Sequence, residues 1–433
     1  MKRIWRTGLC GVLLGLTLCG TAAASEMQNV SVEINGQMVV FEDEVKVVNG
    51  HTYLPFRGIF QALGFEESAI TFDGTTGTVC AESPELTVSM VIGEEWMRVT
   101  RNGRTQILRV DSSAFIDPVL GRAYIPARFA AEAAGYRLSW NSSSRTVILD
   151  DIEAILEENQ ETYTVLEGYL EFLQKYRKAN YKAKGEYCAE VTMGTDNISV
   201  RGSCSMLLDQ SGLFELEMPI ELDADISGVI LSELLPGESY LHAWGKQGEG
   251  IHYIRIGEEK TMGTETEQEW MTLDMGSITE ESYPHPAADY IRWMNPDYFA
   301  GVQQNAQEYV ERLVYEAVQR DNSVSVRTIL DRINELLGDN AFCFVGGSYV
   351  NELKEGADVQ MQFQTRKEKI VGYEFSVLQQ ASQSQPGVEL HISVSGKKWK
   401  IDLILAETVN EYMKISMDGT MEETSQKPKG YLH

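Results

Sequence analysis

The chain has few of the residue patterns that carry chemistry. Its six histidines (His51, His242, His252, His285, His391 and His433) and six cysteines never fall into HxH, HExxH or CxxC spacing, and no EF-hand loop is written anywhere. The usual zinc and calcium signatures are therefore missing, and no cofactor is implied. Neither a GxSxG nucleophile turn nor a GxxxxGK[ST] phosphate loop occurs, which removes the commonest routes to covalent and phosphoryl chemistry. Positive charge is scarce as well. Against 64 acidic residues stand 37 basic ones, a net charge of -27 that opposes a nucleic-acid partner. With so many acids some carboxylates must lie close together, as in glycoside hydrolases, but sequence does not supply their geometry. His242 and His252 are equidistant from Gln247 in an expected Gly245 to Gly250 turn, yet two ligands do not make a metal site.

Long apolar runs are also absent beyond the N-terminus. Residues 1–24 read as a signal peptide: Lys2, Arg3 and Arg6 precede an apolar stretch from Leu9 to Leu18, and Ala22-Ala23-Ala24 forms a small-residue cleavage site before Ser25. The apolar stretch falls short of the ~20 residues of a membrane helix. Removing three basic residues takes the charge from -27 to -30. The expected localisation is extracytoplasmic, with no membrane span in the mature chain.

What the sequence does have is an internal repeat. Leu54-Pro55-Phe56-Arg57, running into Ala62-Leu63-Gly64-Phe65, returns as Ile125-Pro126-Ala127-Arg128, running into Ala133-Ala134-Gly135-Tyr136. Asn35-Gly36 answers Asn102-Gly103, and Phe72 with Thr78-Val79 answers Trp140 with Thr146-Val147. Asn-Gly between apolar residues signals a hairpin, because both central turn positions take positive φ. Pro55 and Pro126 stop a strand and start a short helix, whose left-handed C-terminal cap suits Gly64 and Gly135. The expected buried helix residues are Ile59, Phe60 and Leu63 in one copy, and Phe129, Ala130 and Ala134 in the other.

Two copies of this unit over residues 29–150 resemble the copper amine oxidase-like N-terminal domain, also called the stalk domain, of secreted bacterial proteins. The resemblance implies a small α+β module that is not catalytic and stands apart from the copper site in the oxidases. The sequence departs from the family pattern at His51, where arginine is usual, at Ala127, and in a longer stretch between Gly64 and Phe72. Oxidase chemistry does not accompany the likeness. The copper histidines and the Asn-Tyr-Asp/Glu quinone motif are absent, Asn410-Glu411-Tyr412 being out of order.

Charge divides unevenly between the copies. Residues 25–97 hold 12 acidic and 2 basic residues, whereas residues 98–150 hold 4 acidic residues and 8 arginines. Arg98, Arg101, Arg104 and Arg109 make a candidate site for an anionic cell-wall polymer, since guanidinium forks match phosphate and carboxylate. The competing reading is that the copies complement each other across their interface, with Arg57 and Arg128 serving the fold.

Beyond residue 150 the period changes. Ile152, Leu156, Asn159, Tyr163, Leu166, Leu170 and Leu173 form one stripe, predicting a connecting helix over 151–183. Residues 184–433 then read as an acidic α+β domain of antiparallel strands, with a helical insert at about 288–338 capped by Gly338. The expected fold class is thus α+β: a duplicated hairpin and helix module, a connecting helix, and a large antiparallel sheet packed on helices. Element order alone is loosely similar to LolA-like lipoprotein half-barrels. Cys188 and Cys204 lie eight residues either side of Asp196, so a hairpin centred there predicts a disulfide between them. Cys80 reads as an apolar filler.

These readings point to a secreted, non-enzymatic envelope protein whose stalk module presents or tethers an acidic binding domain. Its partner would be a cell-wall polymer or another envelope protein. Two alternatives stay open: an extracellular hydrolase of wall glycan or peptide, and a carrier of lipid or lipoprotein with an apolar cavity.

Overall fold

The computed structural model describes residues 30–110, 112–194, 196–225, 239–246, 250–262, 265–274, 305–355, 357–380, 387–408 and 410–429. The signal segment expected at 1–24 and the first part of the helical insert expected at about 288–338 lie outside the described residues. The chain divides into two units, Met1–Asp151 with Asn322–Ser325, and Ile152–Asp321 with Val326–His433. The fold is α+β.

The first unit opens with hairpins β1 (Ser31–Ile34) to β2 (Gln37–Val39) and β3 (Lys46–Val48) to β4 (His51–Pro55), followed by helix α1 (Phe56–Ala62). Strands β5 (Ile70–Asp73), β6 (Thr78–Glu82) and β7 (Leu86–Val91) complete the first repeat. The second repeat runs β8 (Trp96–Arg101), β9 (Arg104–Arg109), β10 (Phe115–Ile116), β11 (Ala123–Pro126), α2 (Ala127–Ala134), β12 (Arg137–Asn141) and β13 (Thr146–Asp150). The Asn-Gly turns take the conformation their sequence demands, with Asn35 and Gly36 at φ 50° and 81° and Asn102 and Gly103 at 47° and 76°. Pro55 and Pro126 stand immediately before the helices, and Gly64 and Gly135 follow them at φ 89° and 84°. Ile59, Phe60, Phe129 and Ala130 are buried, while Leu63 and Ala134 are only half-buried; Ala133 takes the inward position instead.

Three sheets join the repeats by exchange. Their orders are β12-β13-β1-β2, β10-β11-β4-β3 and β5-β6-β7-β8-β9. The first repeat's opening hairpin, β1-β2, therefore sits beside the second repeat's closing hairpin, β12-β13. In the first sheet β1 lies parallel to β13, with Val32 opposite Val147. In the second, the proline strands meet antiparallel, Leu54 opposite Ile125 and Tyr53 opposite Pro126. In the third, β7 intervenes between β6 and β8, which breaks the symmetry. A single core cluster takes Leu54, Ile59 and Phe60 from one repeat and Ile125, Phe129 and Ala130 from the other. Charge also crosses between the copies: Lys46 pairs with Asp117, and Arg122 lies 3.5 Å from Asp43.

The second unit begins with two helices, α3 (Ile152–Glu157) and α4 (Thr164–Gln174), where the sequence predicts one continuous connecting helix over 151–183. Hydrogen bonds explain the break. Asn159 donates to the Tyr163 hydroxyl at 2.7 Å, that hydroxyl donates to Asn334 Oδ1 at 2.5 Å, and Asn334 donates back to Asn159 Oδ1 at 3.1 Å. Burial of the ring pushes the Tyr163 hydroxyl pKa up to about 12, so it stays a donor. Asp339 then restarts the helix, accepting from the Thr164 and Val165 amides at 2.9 Å each and from the Thr162 hydroxyl at 2.8 Å. The apolar stripe continues through the break, which is why sequence alone reads it as one helix.

Strands β14 (Asn180–Met193), β15 (Asp196–Leu208), β16 (Leu213–Asp225), β17 (Ser239–Lys246), β18 (Gly250–Met262) and β19 (Glu265–Asp274) follow. Helices α5 (Ala306–Arg320) and α6 (Val326–Leu337) come next, and then β20 (Cys343–Val345), β21 (Ser348–Glu355), β22 (Ala357–Arg366), β23 (Lys369–Gln379), β24 (Gly387–Ser395), β25 (Lys398–Thr408) and β26 (Glu411–Thr424). They form one 13-stranded antiparallel sheet in the order β19-β18-β17-β16-β15-β14-β26-β25-β24-β23-β22-β21-β20. The chain enters this sheet in the middle, meanders to one edge, resumes at the other and returns, so its first and last strands pair side by side. Asn180 faces Thr424 at one end of that seam and Met193 faces Glu411 at the other.

Side chains segregate by face, as strict alternation requires. Tyr169 of α4 packs on Phe363 and Tyr373, with centroids 4.9 and 5.2 Å away. Buried Asn351 of β21 donates to the carbonyls of Glu335 and Leu336 at 2.9 Å each, satisfying the end of α6. Gly338 does not cap α6 in the left-handed form that the sequence suggests, since its φ is -69°. It is a close-approach glycine instead: a Cβ there would lie 2.6 Å from Glu161 Cγ and 2.7 Å from the Asn334 carbonyl oxygen.

One pH prediction arises at the helix cap. Burial alone would raise the Asp339 carboxyl, but the hydrogen bonds from Val165, Thr164 and Thr162 outweigh it and hold the pKa below the usual carboxylate range. A depressed folded pKa gives stability that is full above the unfolded value of about 4 and is lost as pH falls through the folded value. Asp339→Ala is expected to cost about 1 kcal/mol at pH 7 and to flatten the acid limb of stability below about pH 4, measured by urea unfolding.

Candidate functional site

The second unit's sheet offers an apolar face whose described helix contacts lie toward one end. There α4 packs on β23 and α6 on β21. Toward the seam the same face carries Ile401, Leu403 and Leu405 from β25, Met413, Ile415 and Met417 from β26, and Met206 and Met218 from β15 and β16, all half-buried. The register aligns them: Met417 lies opposite Ile401 and Tyr187, Ile415 opposite Leu403, and Met206 opposite Leu216. Methionine is unbranched and polarisable, which suits a surface that must accommodate apolar groups of variable shape.

The opposite face is polar, and it assembles a cluster that sequence reading misses. Glu215 and Glu217 lie two apart on β16, and His242 and Trp244 lie two apart on β17, so each pair shares a face. Register sets Glu217 opposite His242 and Glu215 opposite Trp244. His242 Nε2 stands 2.9 Å from Glu215 Oε1 and 3.6 Å from Glu217 Oε1. Glu215 is 3% exposed, and its second oxygen accepts the Lys429 amide at 2.7 Å. The C-terminal segment also reaches β14, where Asn180 donates to the Gln426 carbonyl at 3.1 Å and Lys182 to its side chain at 3.3 Å. The Trp244 ring centroid lies 4.0 Å from that of His242. His252, equidistant with His242 from Gln247 in the sequence, does not oppose it: Arg255 does, and the β17–β18 register shifts beyond Trp244.

The candidate arginines do not form one patch. Arg98 and Arg109 share the solvent face of the five-stranded sheet with Trp96 and Ile107, which are 50% and 62% exposed. Arg109 lies 5.8 Å from the Trp96 ring and 3.5 Å from Glu95. Arg101 and Arg104 oppose each other on the reverse face, lining a recess of about 480 Å3 with Gln106 and Glu132, and Arg101 donates to the Ala133 carbonyl at 3.1 Å. Period-two alternation causes the division: the three-residue steps from 98 to 101 and the five-residue step from 104 to 109 each reverse the face. Among the repeat-signature residues, Arg57 is exposed and reaches the Glu67 carbonyl at 3.4 Å, and Arg128 is exposed.

The predicted disulfide is overturned by register. The hairpin turns between Met193 and Asp196 and not about Asp196, so Cys188 faces Arg201 and Cys204 faces Gly185. Three residues of offset place the thiols on opposite faces, beyond bridging geometry. Cys80, Cys188, Cys204 and Cys343 are all free thiols. Burial pushes the thiol pKa of Cys204 up, and that of Cys80, which is half-buried, moves the same way.

The duplicated hairpin and helix module, with its exchanged sheets and one shared core, is the part of the chain that resembles a known family. Residues 33–149 match the family described as Copper amine oxidase N-terminal domain, which is non-catalytic. The match ends before the second unit begins, and no enzymatic family is indicated for the chain. A comparison with curated proteins finds no match. The matched segment holds one histidine, His51, so a three-histidine copper centre does not fit it. Among the described residues no helix is long and apolar enough to cross a membrane.

Proposed function

We propose that this is a secreted, non-enzymatic cell-envelope binding protein: the stalk module tethers an acidic sheet unit, and that sheet takes acyl chains along its apolar face. The observation that carries the reading is the half-buried strip of Met206, Met218, Met413, Ile415 and Met417 beside the seam. Strands spaced about 4.8 Å apart give this strip a width of roughly 20 Å, long enough for an extended chain. Aliphatic side chains left half-buried side by side on adjacent strands offer a face on which an apolar ligand can complete its burial. The chemistry is shared by a free lipid and by a lipidated protein.

The test is titration of the mature chain with a fluorescent fatty acid. Saturable binding in the micromolar range, displaced by unlabelled fatty acid, is expected. The double variant Met413→Gln, Met417→Gln keeps side-chain shape and should weaken binding about tenfold, equivalent to about 1.4 kcal/mol. A lipidated peptide that competes where free fatty acid does not would assign the ligand to a lipoprotein. Absence of saturable binding to either would overturn the reading.

A further inference from the structure

We propose that Glu215, Glu217 and His242 form a binding site for a divalent transition-metal ion of the zinc type. Their donor atoms all lie within 4.8 Å of one another. Donors about 2.0–2.2 Å from one ion stand at most about 4.4 Å apart, and His242 Nε2 already lies 2.9 and 3.6 Å from the two carboxylates. One imidazole with two carboxylates is a ligand set that favours zinc, manganese or cobalt over calcium and magnesium, which prefer oxygen alone.

Three further facts separate this cluster from an ordinary acidic surface. The donors stand on adjacent, hydrogen-bonded strands, which fixes their spacing. Glu215 is buried, and burying a carboxylate is costly unless cationic charge meets it. The second oxygen of Glu215 is held by the Lys429 amide, an outer contact that orients the carboxylate toward the other donors. Occupancy would then also fasten the C-terminal segment across β14 to β16, through Glu215 and the Gln426 contacts.

The experiment uses the mature full chain, stripped with chelator and titrated calorimetrically with zinc chloride and manganese chloride at 0.15 M salt. One saturable site of micromolar or tighter dissociation constant is expected for zinc, with weaker manganese binding. Glu217→Gln and His242→Ala should each weaken zinc at least tenfold. Glu217 is 55% exposed at its side chain, so its variant keeps the fold and decides the matter should the histidine variant misfold. Cobalt should quench fluorescence from Trp244, and Trp244→Phe should lose that quenching while retaining the calorimetric site. Weak, non-saturating uptake that is equal in wild type and Glu217→Gln would mean adsorption to the acidic surface and would overturn the proposal. So would a saturable site that neither variant alters.

Discussion

Cut after Gly93, the first unit is expected to yield two fragments that are each unfolded and that regain structure when mixed. The exchange of hairpins dictates this. The N-terminal fragment retains β1-β2, β3-β4 and β5-β6-β7, but the strands that join these pieces into sheets, β13, β11 and β8, all lie on the other fragment. The core is divided in the same way, since Leu54 and Phe60 are packed in one cluster with Ile125 and Phe129. A hairpin without a partner layer is marginal at best. The loss is thus the whole stability of the unit, on the order of 5–15 kcal/mol. Far-ultraviolet circular dichroism of each fragment, of their mixture and of intact residues 29–151 checks it. A cooperative melt from either fragment alone would show that the repeats fold independently.

The second large effect is expected at the seam of the long sheet. Gly185 and Gly419 face each other across β14 and β26. A Cβ on Gly185 would sit 2.1 Å from the Asp418 carbonyl oxygen and 2.9 Å from the Trp399 ring, and one on Gly419 would sit 2.1 Å from the Lys184 carbonyl oxygen. The obstacles are mainly backbone atoms held in a ladder, so they cannot swing away as a flexible side chain would. Gly185→Val and Gly419→Val are each expected to destabilise the second unit by about 3 kcal/mol or more. Gly396→Ala supplies the comparison: its turn has φ 62° with no atom within 4 Å of the added methyl, so the cost is only the left-handed strain of about 1 kcal/mol. Urea unfolding of the three variants measures the difference. Equal midpoints would refute a close-packed seam.

Legibility from sequence followed the range of the signal. The first module was readable because its determinants are local: two Asn-Gly turns, two prolines before helices and two glycines after them recur at matched positions. Strand and helix order in the second unit was readable from alternation, and Val326–Leu337 falls where its apolar period places it. Register was not. A hairpin centre displaced by between one and two residues from Asp196 is enough to send Cys188 and Cys204 to opposite faces, and residue type near the turn does not fix that centre. The Glu215, Glu217 and His242 cluster was hidden for the same reason. Glu-x-Glu and His-x-Trp are commonplace pairs until one register sets them side by side. Asn159 passes for one more position of a continuous stripe because its partner, Asn334, lies far along the chain.

The pairing of β14 with β26 has a kinetic consequence. Every other pairing in the 13-stranded sheet except this one joins strands consecutive in the chain. Those hairpins form on local contacts, whereas the seam must wait for its last strand and for closure of nearly the whole unit, which makes it the slow, high-contact-order step. Until then two half-sheets each present an open fourteen-residue edge, β14 on one and β26 on the other. At high concentration the free β14 edge of one molecule meets the β26 edge of another with the same complementarity it has for its own. Two chains closing each other's seams reciprocally would make a domain-swapped dimer with every native strand pair intact, formed during folding and retained afterwards by the barrier to reopening.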